Sequence, residues 1–218
     1  MIRLFLSALL LLVAVPANAV GPTPDLYKSM EVKDSRGTIV PQDHVLHDGE
    51  GNQRSLKEWM NNSKPTLLTF NYLGCAMLCS LQQDGLARSL AEVDLKAGED
   101  FAMVTVSIDP KEDPKTALRA ADRMSEKIQG TWSVVTAPET AIGALTKAAG
   151  FNFEYLEREK QYAHPAITYV LTPDGRVSQY LAGLEPAPRD LKFALIEASG
   201  GRIGSFIEQL SLACLQYD

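Results

Sequence analysis

Two cysteines four apart, Cys75 and Cys79 in LTFNYLGCAMLCSLQQDGL, are the residues of this chain best suited to chemistry. The apolar run from Thr66 to Tyr72 reads as a strand, Gly74 as a turn, and the residues from about Cys75 onward as a helix. At i and i+4 of a helix two side chains share one face, with Cβ atoms roughly 5–6 Å apart. That separation suits a disulfide, or two thiolates on one metal ion. A helix N-terminus also favours thiolate over thiol. A staple closing so short a loop removes little chain entropy, and a C-x-x-C spacing would favour thiol–disulfide exchange more than this one does. Staple, redox couple and half of a metal site are therefore all open. For the last, Cu(I) is the outstanding thiolate-seeking ion outside the cytosol.

Two thiolates leave a coordination position to fill, so a third donor matters. The chain has three histidines. His164, in QYAHPAITYVL, stands just before the final hairpin, whereas His44 and His47 lie in a polar, Asp- and Gly-containing segment and read as solvated. Asp109 closes the apolar run FAMVTVSID; it reads equally as a turn former before Pro110 and as an acid lying behind the site. Cys214, close after Leu210 and Leu212, reads as a small buried hydrophobe. With three cysteines, at least one is unpaired or reactive.

Export bears on these thiols. Arg3, the apolar stretch Leu4 to Val15 and the sequence Ala17-Asn18-Ala19 form a secretory signal pattern, so residues 1–19 are expected to be removed. The stretch is shorter than the ~20 residues of a membrane span, which makes retention as an anchor the weaker reading. Thiols outside the cytosol oxidise unless a reductant or metal protects them. A net charge of −6 without a basic run argues against nucleic acid and anionic membrane as partners. Residues 20–40 read as an extended lead-in and 41–218 as one domain.

The elements that must hold these side chains alternate. Ser55 reads as the cap of a short helix through Met60, and TLLTFNY as a strand; a helix follows from about Cys75 to Leu95, with Leu78, Leu81, Leu86, Leu90 and Val93 at near-helical spacing and Gly85 interrupting. Phe101 to Asp109 is a continuous apolar strand of the kind buried on both faces. Asp113-Pro114 opens a helix to about Ile128, Trp132 to Thr136 is a strand, and Pro138 opens a helix to about Ala149. A short strand pair in FEYLEREKQYAH precedes the hairpin ITYVL and VSQYLA, and helices from about Pro188 to Ser199 and Ile203 to Leu212 close the chain. This order predicts an α/β, thioredoxin-like fold: a central mixed sheet flanked by helices, ending in an antiparallel hairpin and C-terminal helices. The cysteines fall where the first parallel strand hands over to its helix, the strand end at which open α/β sheets bind ligands. Pro165 occupies the place where such folds usually hold a cis proline facing the cysteines, and on this topology His164 can reach both.

Phe70-Asn71-Tyr72 with Cys75, Met77-Leu78-Cys79, then Ser107-Ile108-Asp109-Pro110, His164-Pro165 and LTPDGRVSQYLAG resemble the Sco/SenC family of thioredoxin-like copper proteins, from about Pro41 to the C-terminus. The resemblance implies one copper ion per chain, Cu(I) or Cu(II), held by Cys75, Cys79 and His164. It implies a metallochaperone that helps assemble the copper centre of cytochrome c oxidase; the chain is expected to be periplasmic and monomeric. Its partners would be the copper-accepting subunit of the oxidase and another copper chaperone or thiol reductant. The enzymatic alternative is a thiol–disulfide oxidoreductase in which Cys75 attacks and Cys79 resolves. The chain departs from the pattern in having Ala76 and Ser80 where many members place prolines after the cysteines. It also has Ala163 where many place an Asp before the histidine.

Overall fold

A computed structural model describes residues 30–61, 63–74 and 78–204. The strands are β1 (Val45–His47), β2 (Gln53–Ser55), β3 (Thr66–Asn71), β4 (Ala102–Ser107), β5 (Ser133–Val135), β6 (Glu154–Leu156), β7 (Gln161–Ala163), β8 (Ile167–Leu171) and β9 (Val177–Ala182). The helices are α1 (Leu56–Met60), α2 (Leu78–Ala91), α3 (Pro114–Ser125), α4 (Glu139–Ala149) and α5 (Pro188–Ser199).

Five strands form the central sheet in the order β5-β4-β3-β8-β9. Strands β3, β4 and β5 are parallel and β8 and β9 antiparallel, as expected when βαβ units are followed by a hairpin. Every residue of β3 and β4 is buried, because helices cover both faces. Leu67, Met103, Val134 and Val170 face a core completed by Leu86 and Leu90 of α2, Ala117 and Met124 of α3, and Leu191 and Leu195 of α5. Leu68, Phe70, Val104, Val106 and Tyr169 face the other, built with Leu56 and Met60 of α1 and Ile142 and Leu145 of α4. Register places Asn71 beside Ser107 and Thr69 beside Thr168, so the ends of β3 and β4 and the start of β8 lie along one sheet edge.

Local chemistry sets the helix starts. Ser55 and Glu58 form a reciprocal capping box on α1, and Asp113 caps α3 ahead of Pro114. Several expectations need correction. Helix α2 stops at Ala91 rather than near Leu95, because i→i−3 bonds from Glu92 to Ser89 and from Val93 to Leu90 tighten the chain; Val93 reaches the core from that turn. Leu81 lies outside the inward stripe of Gln82, Leu86, Ser89 and Leu90 and is 48% exposed. Gly85 does not interrupt α2: it lets the Leu184 carbonyl come so close that a Cβ would collide with it. Strands β1 and β2, unanticipated, pair across the Asp48 to Asn52 turn. The expected helix from Ile203 falls almost wholly outside the described residues.

Residues of the lead-in lie against the domain. Lys33 donates its N–H to Gly150 O at 2.9 Å, Ser35 Oγ donates to Ala149 O at 2.7 Å, and Val40 N–H donates to Gly175 O at 2.9 Å.

Candidate metal centre

Strand β3 runs through Asn71 into the Tyr72-Leu73-Gly74 turn that delivers the chain to the cysteines. Cys75 and Cys214 lie outside the described residues. Cys79 is the second residue of α2, which places it in the helix's first turn; its side chain is outside what is described. One turn further, Gln82 Nε2 donates to Ile167 O at 3.1 Å. That bond ties the cysteine-bearing end of α2 to the start of β8, three residues after His164.

His164 is 6% exposed, with its ring tilted against Phe151 at 5.9 Å between centroids. Its Nδ1 lies 3.1 Å from Pro165 O. A carbonyl only accepts, so Nδ1 carries the proton in that bond, and the lone pair of the neutral ring is on Nε2. Burial pushes the imidazole below its ordinary pKa, and the Pro165 bond only partly opposes this. The ring is therefore neutral at pH 7, the form that ligates metals. Among the described residues no peptide bond is cis, so the His164–Pro165 bond is trans, unlike the cis proline usual at this place in such folds.

Asp109 lies at the same sheet edge. Its Oδ1 accepts the Lys111 N–H at 2.9 Å, which forms its turn, and its charge bears on the Tyr162 phenol. Burial first, and Asp109 second, push that phenol up to about 12. Tyr162 of β7 is two residues before His164, so Asp109 bears on the segment leading into the histidine through a tyrosine. The turn-forming reading has its counterpart in the Lys111 bond.

The residue the sequence reading passed over is Glu112. Its Oε1 accepts the Gly74 N–H at 2.7 Å and its Oε2 accepts the Ser107 hydroxyl at 2.5 Å. Burial raises its pKa, against the pull of these bonds. Beneath the turn the sheet face is polar: Thr69 and Thr105 hydroxyls meet at 2.7 Å and Trp132 Nε1 donates to Thr105 at 2.9 Å. Both amide atoms of Asn71, Oε1 of Gln82 and the Thr168 hydroxyl are buried without a partner. Buried polar atoms are nearly always paired, so such a cluster calls for a reason.

His44 and His47 are half-buried and sit apart, in and beside β1, where the His47 backbone bridges to Thr136. Among the described residues no three His, Cys, Asp or Glu side chains converge. A neutral buried imidazole and a cysteine in the first turn of a helix tied to β8 are residue types that would suit a soft ion.

A five-stranded mixed sheet with helices on both faces and a cysteine helix leaving its first parallel strand is a thioredoxin-like fold. Within that class, the family described as SCO1/SenC matches residues 33–196, and the chain belongs to that family. No curated protein matches it. Among solved structures, one from Aquifex aeolicus VF5 is 26% identical with a TM-score of 0.67, over 77% of this chain and 95% of that one. Arabidopsis thaliana ScoI with copper bound is 18% identical with a TM-score of 0.59, over 73% of this chain and 97% of that one. Yeast Sco1 is 16% identical with a TM-score of 0.56, over 77% and 99%.

Proposed function

We propose that this chain is an exported copper chaperone in which Cys75, Cys79 and His164 hold one copper ion as cargo for the copper centre of cytochrome c oxidase. The observation that carries the reading is His164: a buried, neutral imidazole with Nδ1–H given to Pro165, three residues before a strand that Gln82 ties to the cysteine helix. Family membership supports it. So do copper-bound relatives from Arabidopsis thaliana and Bradyrhizobium japonicum, and a relative described as one of the Sco family of cytochrome c oxidase assembly proteins. The signal pattern in residues 1–19 and a lipoprotein relative from Bacillus anthracis support export, with the periplasm as the compartment.

Two thiolates and one imidazole leave Cu(I) three-coordinate and open to an incoming cysteine of the client, so transfer proceeds by ligand exchange. Loading needs both thiols reduced, and the Cys75–Cys79 couple controls when cargo is accepted.

Anaerobic titration of the reduced, signal-free protein against a competing Cu(I) chelator tests this. One ion per chain is expected. His164→Ala should weaken binding by more than the ~10–100-fold produced by changes behind a metal ligand. Wild-type affinity in that variant, together with rapid reduction of a client disulfide, would overturn the reading in favour of the oxidoreductase.

A further inference from the structure

Three acids in Ser107-Ile108-Asp109-Pro110-Lys111-Glu112-Asp113 divide the work of one loop. Asp109 forms its own turn and meets Tyr162. Asp113 caps α3 by accepting the Lys115 N–H at 2.9 Å. Glu112 serves neither purpose. Both its oxygens reach out of the loop, one to Gly74 on the β3–α2 connection and one to the fully buried Ser107 at the end of β4.

We propose that Glu112 is a positioning residue for the copper site, fixing the Leu73-Gly74 turn against the end of β4 and so setting where Cys75 is presented. The inference rests on the copper reading for its consequence, but the contact itself is a property of the fold. The adjacent parallel strands β3 and β4 send their following loops out at the same edge. One carboxylate bridges those two loops immediately before the first cysteine. Helix capping does not require it, because Asp113 already supplies the cap. A half-buried carboxylate is costly to place, and a hydrogen-bonded backbone N–H beside the site is what it gains. Without it the Gly74 N–H loses its acceptor, and the Leu73-Gly74 turn loses a side-chain tie to the end of β4.

The test compares Glu112→Ala, Glu112→Gln and Asp113→Ala in the full mature chain. Glu112→Ala should weaken Cu(I) binding ~10-fold or more, the range for groups that orient a ligand, and should change the thiolate-to-copper absorption band seen with Cu(II). Glu112→Gln keeps a carbonyl acceptor for Gly74 and should recover most of that loss. Asp113→Ala removes a helix cap and should lower the unfolding midpoint while leaving copper affinity at the wild-type value. Equal affinity in Glu112→Ala and wild type, or an equal loss in Asp113→Ala, overturns the proposal. If Glu112→Ala does not fold, Ser107→Ala, which removes the carboxylate's other anchor, must weaken binding for the proposal to stand. A second readout needs no copper: the iodoacetamide alkylation rate of Cys75 in a Cys79→Ser background. It should change ~3-fold or more in Glu112→Ala, because thiolate reactivity follows its local setting. If the wild type takes up no copper, the copper reading fails and this rate alone decides the role of Glu112.

Discussion

Just past the far end of β8, the Thr172 hydroxyl donates to the Asp174 carboxylate and accepts the Arg176 N–H at 3.0 Å. Four residues earlier, at the site end, the Thr168 hydroxyl is fully buried and bonds to nothing. The contrast extends across both edges of the sheet. At the far end Arg176 Nε pairs with Asp174 at 2.9 Å, and Gln42 Nε2 donates to Asp174 O at 2.6 Å. The Thr172 hydroxyl, and then Arg176, hold the Asp174 carboxyl below its ordinary range. At the site end burial raises Glu112, lowers His164, and leaves Asn71 and Gln82 with unpaired atoms. The polar groups named at one end are all paired; the other end leaves buried atoms without partners and shifts its titrating groups by burial. Proteins keep such conflicts where function needs them.

The strongest way to break this comparison is at Gly175, whose φ of +83° serves the far turn. Gly175→Ala should cost about 1–2 kcal/mol for the left-handed conformation, with Gln42 displaced as well. Urea unfolding should register that loss while copper affinity stays at the wild-type value. A matching fall in affinity would show that the two ends are not independent. A sharper probe makes one substitution at both ends. Thr172→Val removes a hydroxyl with two partners and should cost about 1 kcal/mol, whereas Thr168→Val removes an unpartnered one and should be neutral or stabilising. Equal losses at the two positions would erase the distinction. The smallest effect concerns acid. The folded-state pKa of Asp174 is depressed, so the folded form binds fewer protons than the unfolded one. Its contribution is present above the unfolded value of about 3.8 and is lost as pH falls through the folded one. Asp174→Asn should therefore flatten the acid limb of the stability curve slightly, because the group is largely exposed.

What the sequence made legible follows the same division. Caps at Ser55 and Asp113, the apolar strands β3 and β4, and the hairpin at Thr172 to Arg176 depend on neighbours a few residues away, and all appear as expected. The Glu112 bond to Gly74 spans 38 positions, and no local pattern announces it. Strands β1 and β2 carry the residues VLH and QRS, with no apolar alternation to betray them. Leu81 misled because hydrophobicity at near-helical spacing does not say which stripe faces inward. His164 was legible by its place before the hairpin, but its neutrality and its bond to Pro165 come from packing.

The β6–β7 ribbon pairs with no other strand of the described residues. It is held by rings, with Tyr162 4.9 Å from Tyr155, 5.4 Å from Tyr72 and 5.9 Å from Phe153 between centroids. Two-stranded ribbons are marginal on their own, so its amides should exchange with deuterium well before those of the five-stranded sheet. The ribbon runs directly into His164. Its opening would thus loosen the chain immediately before the histidine while the five-stranded sheet stays closed.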